Sequence, residues 1–412
     1  MSRDGPGAAQ ERGDVVPFLP TSDAGVQNLA PGTPLAHPEI TRLFRDAFHE
    51  LILAPSFADR IASCHDVHGN AELREVIAAE YRRYFGLPVT SGNVLVTPGS
   101  QAIFYYVCAL MAGQGRTVRF TGPEYPGYRT HAAVRYDMVL PDVEDDEQGE
   151  QGDFRYLPRL GLLDPSIGAV LLSRPGNPTG NVLSDELVGE LADECAANDT
   201  LLVIDGAYAP PIPALCFREL GLPWNDNVLL VHSFSMAGFA GERLGFALAP
   251  EHTIAALARI QAEVALFPHQ LAQRAAAIVL ADGRLARACR ESLRPAFAER
   301  HGFAREVLTQ SLRVPVRFHS PDGGPFIWMW CPELPIATSL LIDELRGRGV
   351  LTAPGAQFYL PEHRSSRHAT QCMRIGLGVD LDSLEADLVT LSDVINRIRP
   401  DSWSVTSQLR AS

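Results

Sequence analysis

The stretch "GAVLLSRPGNPTGNVLSDELVGELADECAANDTLLVIDGAY", residues 168–208, decides the fold. It opens on a short apolar run, "GAVLLS", and turns through a loop punctuated by Pro and Gly. A helical pattern follows over "SDELVGELADECAAND", and a second apolar run, "LLVID", closes it. Strand, helix and strand in succession form the unit of a parallel sheet, because parallel neighbours need a crossover connection.

The alternation extends outward in both directions. Upstream lie the helical patterns "AELREVIAAEYRRYFG" and "SQAIFYYVCALMAG" and the apolar runs "NVLVT" and "TVRFTG"; downstream lies "NVLLVHS". An α/β fold with a mostly parallel sheet is expected. Two long helical patterns, "HTIAALARIQAEVALF" and the one from "HQLAQRAAAIVL" to "VLTQSL", are interrupted at Pro268 and lead out of this unit. "GGPFIWMWC", "GVLTAPG" and "QCMRIGLG" then read as strands of a smaller α+β domain, closed by the helix "SLEADLVTLSDVINRIR". The expected organisation is a flexible tail over 1–20 and an N-terminal segment over 21–50 that joins the small domain. A large domain spans 51–285 and a small C-terminal domain 286–412. "VQNLAPGTPLAHPEI" reads as extended, and the acidic run "DVEDDEQGEQGD" as a solvated loop.

Composition sets bounds. With 412 residues, 46% hydrophobic and 20% charged, the chain can bury a large core in two domains. A net charge of -14 argues against nonspecific nucleic-acid binding. No apolar run approaches the roughly 20 residues that span a bilayer. "MSRDGPGAAQERGD" lacks a signal core, and the seven cysteines show no CxxC spacing, so a cytoplasmic protein without disulfides or metal is expected. All 35 Lys-or-Arg positions are arginine, so no side chain can form a Schiff base.

Parallel strands direct their C-terminal ends toward one crevice, and four polar signals fall there. In "VTPGSQAIFYY", Gly99, Ser100 and Gln101 stand where a strand meets a helix, a place that favours phosphate; an ordinary N-cap by Ser100 is the alternative. Asp205 ends a very apolar strand and needs a cation, either a protonated ring nitrogen or a structural arginine, while Tyr208 stands three residues on. Asn177, before Pro178, presents an amide from a restricted turn. In "SFSMAGFAGERLGF", residues 233–246, Ser233, Ser235 and Arg243 offer two hydroxyls and a planar cation.

In order and spacing these four signals resemble the fold-type I pyridoxal-phosphate enzymes of the class I/II aminotransferase family, in the branch of the valine–pyruvate aminotransferases. The resemblance runs from "NLAPGTP" to the last helix and is carried by "SRPGNPTGNVLSDEL", "PWNDNVLLVHSFS", "RGVLTAPG" and "HATQCMRIGLG". It implies pyridoxal 5'-phosphate as cofactor, an amino acid and a 2-oxo acid as substrates, and a homodimer with active sites at the interface. It implies that Ser100, Gln101, Ser233, Ser235 and Arg243 bind the cofactor phosphate and that Tyr125 of "GPEYPGY" stacks on the ring. By the same resemblance Asn177 and Tyr208 hold the ring oxygen, and Asp205 keeps the ring nitrogen protonated. Arg374, with Asn177 and the backbone of Gly32, meets the substrate carboxylate.

Two positions depart from the family pattern. Cys64 stands near the place of a tyrosine that reaches the partner's phosphate, with His65 beside it as a substitute donor. Met236 occupies the place of the lysine that bonds to the cofactor and moves the proton; a thioether does neither. Three accounts stand open. An engineered replacement that traps a cofactor–substrate adduct is the favoured one, since the other cofactor contacts remain. The others are a natural lysine-free relative that takes a preformed adduct or the amine form of the cofactor, and a noncatalytic homologue. Elimination, replacement or carbon–carbon bond formation, some on S-adenosylmethionine, is the alternative to transamination on the same scaffold.

Overall fold

The computed structural model describes residues 27–63, 66–146, 152–161 and 163–398. The expected tail over 1–20, and Cys64 and His65, lie outside the described residues. A seven-stranded sheet dominates, built from β2 (Val94–Thr97), β3 (Thr117–Phe120), β4 (Tyr136–Met138), β7 (Ile167–Ser173), β8 (Leu201–Asp205), β9 (Val228–Ser233) and β10 (Gly245–Leu248). Its order is β2-β10-β9-β8-β7-β3-β4. The pairs from β9 through β8, β7 and β3 to β4 are parallel, and β10 runs antiparallel to both its neighbours.

The strands are apolar throughout because both faces of the sheet are covered. Alternation divides their side chains between two buried clusters. Val94, Val96, Leu202, Ile204, Val228, Leu230 and Phe246 enter one, while Leu95, Val203, Leu229, Val231 and Ala247 enter the other. Each large side chain so buried contributes roughly 1.5–3 kcal/mol.

The helices are α1 (Pro38–Leu53), α2 (Phe57–Ala62), α3 (Ala71–Phe85), α4 (Ser100–Gln114), α5 (Asp185–Ala197) and α6 (Glu251–Val264). They continue with α7 (Gln270–Ala281), α8 (Arg284–Ala288), α9 (Arg294–Ser311), α10 (Ile342–Gly347), α11 (Arg367–Gln371) and α12 (Leu381–Arg397). Local chemistry marks their ends. The Asn70 side chain accepts from Leu73 N ahead of α3, which stops at left-handed Gly86. The Ser184 hydroxyl accepts from Leu187 N at the start of α5, where Asp185 and Glu186 complement the helix dipole.

A second sheet orders β11 (Arg317–Phe318), β12 (Phe326–Trp330), β15 (Cys372–Gly376) and β14 (Ala353–Pro354), all antiparallel. Trp328 and Trp330 of β12 share a buried cluster with Leu95 and Val203, so the two sheets close on common apolar ground. The N-terminal β1 (Gln27–Asn28) pairs in parallel with β13 (Val350–Leu351).

Four sequence expectations change. Residues from Pro38 onward are helical rather than extended: Pro38 sits in the first turn, where its missing N–H costs nothing, and Ile40, Phe44, Ala47 and Leu51 form one buried face. The acidic run is partly strand, because β5 (Asp142–Asp145) pairs with β6 (Phe154–Leu157). Arginines steady it: Arg155 meets Asp146 at 2.7 Å and Arg317 pairs with Asp145. "GVLTAPG" divides between two sheets, as β13 and β14. The long helical pattern after Pro268 breaks again at Gly283, which adopts φ 71°.

Candidate active site

Three strands end at one edge of the large sheet with a polar residue: β7 at Ser173, β8 at Asp205 and β9 at Ser233. Asp205 is 6% exposed. Its Oδ2 accepts from the Tyr128 hydroxyl at 2.7 Å and its Oδ1 from Ala207 N at 2.9 Å. Burial pushes its pKa up to about 6 against those two hydrogen bonds. Among the described residues no arginine or histidine forms an ion pair with it, so the structural-arginine alternative does not hold. Behind it, the neutral ring of His232 fills the space a Cβ on Gly206 would take, 2.3 Å from its Cε1. Burial lowers the His232 pKa to about 3.

The next layer is continuous. Asn177 Nδ2 donates to the Tyr208 hydroxyl at 3.2 Å, and Arg374 Nη1 donates to Asn177 Oδ1 at 2.6 Å. Arg374 Nη2 also donates to the Ala30 carbonyl. Its guanidinium lies over the rings of Phe326 and Phe358, 4.3 and 4.8 Å from their centroids. Burial brings its pKa down to about 10, which leaves it charged at neutral pH. Gly32 packs on Phe326, where a Cβ would come 2.5 Å from the ring. The half-buried Tyr125 ring stands edge-on to Tyr128, and Arg374, Asp205 and Arg243 all act on its hydroxyl.

The third group lies at the start of α4. Its N-cap is Gly99, at φ 80°, and no side chain caps it, so the alternative of an N-cap by Ser100 does not hold and the first N–H groups carry no side-chain partner. The turn between β9 and β10 delivers the rest. Antiparallel β10, which the sequence reading did not contain, returns the chain so that Gly245 pairs with both Ser233 and Thr97. A Cβ on Gly245 would meet Ser100 N at 2.5 Å, and one on Gly99 would meet Arg243 Nη2 at 2.7 Å. Glycine at both places lets Arg243 and the serines close on the helix end. Ser233 and Ser235 hydroxyls lie 2.9 Å apart, and Arg243 Nη1 donates to Ser235 Oγ at 3.4 Å. Gln101 turns its side chain elsewhere and donates to the Gly127 carbonyl, tying α4 to the tyrosine turn.

Met236 is 4% exposed, within the helical turn Ser235–Ala237 that ends at left-handed Gly238. It belongs to the buried cluster that includes Phe234 and Phe239.

Sequence reasoning missed Glu124 and Tyr128. Glu124 is 8% exposed, with Oε1 accepting from Ser173 N at 3.1 Å and Oε2 lying 2.6 Å from Ser173 Oγ. Burial pushes its pKa up to about 8. The available signal was an acid in the turn "GPEYPGY", beside a residue already singled out.

The arrangement fits a flat, phosphorylated pyridine. A buried acid without a cationic partner waits at one end, and uncapped N–H groups, hydroxyls and Arg243 gather at the other. Tyr125, Asn177 and Tyr208 lie between. The chain carries no lysine that could bring an amine to the cleft. Fold and site together define the fold-type I class of pyridoxal-phosphate enzymes.

Comparison with known proteins agrees. The model of the family "Aminotransferase class I and II" matches residues 44–387, and the chain belongs to that family, whose members use pyridoxal 5'-phosphate. Valine–pyruvate aminotransferase of Escherichia coli K12 is 29% identical over 387 residues, covering 92% of this chain and 93% of that protein. The crystal structure of valine–pyruvate aminotransferase from Salmonella typhimurium LT2 superimposes with a TM-score of 0.83 at 29% identity, covering 95% of this chain and 99% of that one. A putative amino-acid aminotransferase from Psychrobacter arcticum 273-4 gives a TM-score of 0.87 at 28% identity, over 95% and 96% of the two chains.

Proposed function

We propose that this aminotransferase-family chain holds pyridoxal 5'-phosphate without a covalent bond and acts on a small apolar α-amino acid, with pyruvate as the partner oxo acid. The observation that carries the reading is Asp205, a buried carboxyl with no cationic partner among the described residues. The names of the relatives supply the substrate pair.

When bound, the cofactor supplies an electron sink for the substrate Cα. The residues do the rest. Asp205, ionised, holds the proton on the ring nitrogen, and Tyr128 and Ala207 N hold Asp205 in place. Ser233, Ser235, Arg243 and the N-terminus of α4 grip the phosphate. Asn177 and Tyr208 orient the ring oxygen. Arg374, stiffened between two aromatic rings, takes the substrate carboxylate as a planar fork, and the Gly32 segment closes over Phe326.

Met236 offers no base for moving the proton. Loss of a general base alone costs about 10²- to 10⁴-fold in rate, so the chain with Met236 turns over slowly. The homodimer that the family resemblance implies belongs to this reading.

An absorbance titration of the purified chain with pyridoxal 5'-phosphate tests the reading, followed by addition of valine or alanine. Saturable uptake, with a spectral change on adding one amino acid, is the expected result. Absence of saturable uptake would remove it.

A further inference from the structure

Residues 29–33 form neither helix nor strand, yet they lie across the end of β15 and the start of β12. The run is tied at its beginning. Leu29 N donates to the Leu351 carbonyl at 2.8 Å, and the Leu29 carbonyl accepts from Gly376 N at 2.7 Å. One residue on, the Ala30 carbonyl accepts from Arg374 Nη2. Beyond Ala30, close packing of one backbone on another sets the path.

Glycines make that packing possible. Arg374 and Gly376 share one face of β15, and Gly378 stands two residues further on. A Cβ on Gly376 would come 2.5 Å from the Pro31 carbonyl oxygen. One on Gly378 would come 2.0 Å from that of Thr33, the closest approach at any glycine among the described residues. Neither glycine has a left-handed φ, so room for a second backbone is what glycine supplies here. A carbonyl oxygen, unlike the tip of a long side chain, cannot swing aside. From the other side Gly32 rests on Phe326, one of the two rings against the Arg374 guanidinium.

A planar fork meets a carboxylate with two parallel bonds only when its plane and its turn within that plane are both right. For Arg374 the rings of Phe326 and Phe358 bear on the plane, and Asn177 Oδ1 and the Ala30 carbonyl bear on the turn. We infer that Gly376 and Gly378 are positioning residues: they seat residues 29–33 on β15, hold the Ala30 carbonyl against Arg374, and so aim its guanidinium at the substrate carboxylate. The carboxylate rests on the function proposed above. The seating does not, because it is present in the protein alone.

The test uses two stable secondary amines, made by reductive coupling of pyridoxal 5'-phosphate to valine or to isobutylamine. They differ by the carboxylate alone, so the ratio of their affinities reads what Arg374 contributes. In the parent the valine compound should bind about 10- to 100-fold tighter, as expected for hydrogen bonds between charged groups. Gly378→Ala should cut that ratio about tenfold and leave the isobutylamine compound within about twofold of its parental affinity. A general loss of stability would instead lower both affinities together. Hydrogen exchange over residues 29–35 should quicken in the same variant, while β8 keeps its protection. Gly376→Ala, whose added methyl stands further from the opposing carbonyl, should act the same way by less, and it stands in if Gly378→Ala does not fold. Gly302→Ala puts its methyl into open space and should change neither reading.

A folded variant at Gly378 or Gly376 whose affinity ratio matches the parent's overturns the inference. So does unchanged exchange over residues 29–35, or an equal loss of both compounds. If neither compound binds the parent, the proposed function fails and the aim at a carboxylate falls with it, while faster exchange in Gly378→Ala still upholds the seating.

Discussion

At one end of the cleft Asp205, Tyr128 and Glu124 are shut away from water, and at the other Arg243 stands exposed over Gly99. The contrast is one of solvent. At the buried end every charge must find its partner in the protein or in a ligand, because water supplies none and electrostatic interactions are strong. At the open end water and salt share the task, and no single contact dominates. Substitutions should therefore act sharply and with pH at the first end, gently and with salt at the second.

The largest effect belongs to Met236→Lys, which supplies an amine where the family pattern carries one, and transamination should rise by about 10²- to 10⁴-fold. A cofactor-sized mass gain after borohydride reduction would accompany it, found in this variant alone. Next comes Asp205→Asn, which should weaken pyridoxal-phosphate binding by about 10- to 100-fold, as expected for losing hydrogen bonds to a charged group. Loss of less than twofold would show that the buried end is not where the ring nitrogen lies.

Stability against pH sharpens the same side. The folded-state pKa of Glu124, about 8, lies above its ordinary value of 4.5. The folded state thus favours the proton, and this contribution is full below pH 4.5 and is lost as pH rises through about 8. Glu124→Gln should melt higher than the parent at pH 8, with the difference shrinking toward pH 5; parallel melting curves would contradict it. The smallest change is expected from Arg243→Gln: several-fold weaker cofactor binding in dilute buffer, mostly gone near 1 M salt. A loss that ignores salt would mean that this end is buried when the cofactor is bound.

The strands of the large sheet were legible because burial on both faces leaves runs rich in Val, Leu and Ile. Asp205 was legible because it ends such a run. β10 was not: four residues, "GFAL", between a charged turn and Pro250 carry too little pattern, and only the pairing with β2 and β9 makes them a strand. α1 was hidden by Pro38 and by Pro31 and Pro34 ahead of it, which read equally as extended chain or as a helix start. Of the residues named from the sequence, Asn177, Tyr208 and Arg374 join in one hydrogen-bonded run and Ser233, Ser235 and Arg243 in another, while Gln101 spends its side chain on Gly127. Glu124 and Ser173 escaped notice because their meaning lies in a contact between residues 49 positions apart, which no local pattern records.

The turn around position 236 carries a consequence for labelling. Since all 35 basic Lys-or-Arg positions of these 412 residues are arginine, a lysine placed there would bear the chain's sole side-chain primary amine. Amine-selective tags, isotopes or fluorophores would then report on that single buried side-chain atom once the α-amino group is blocked.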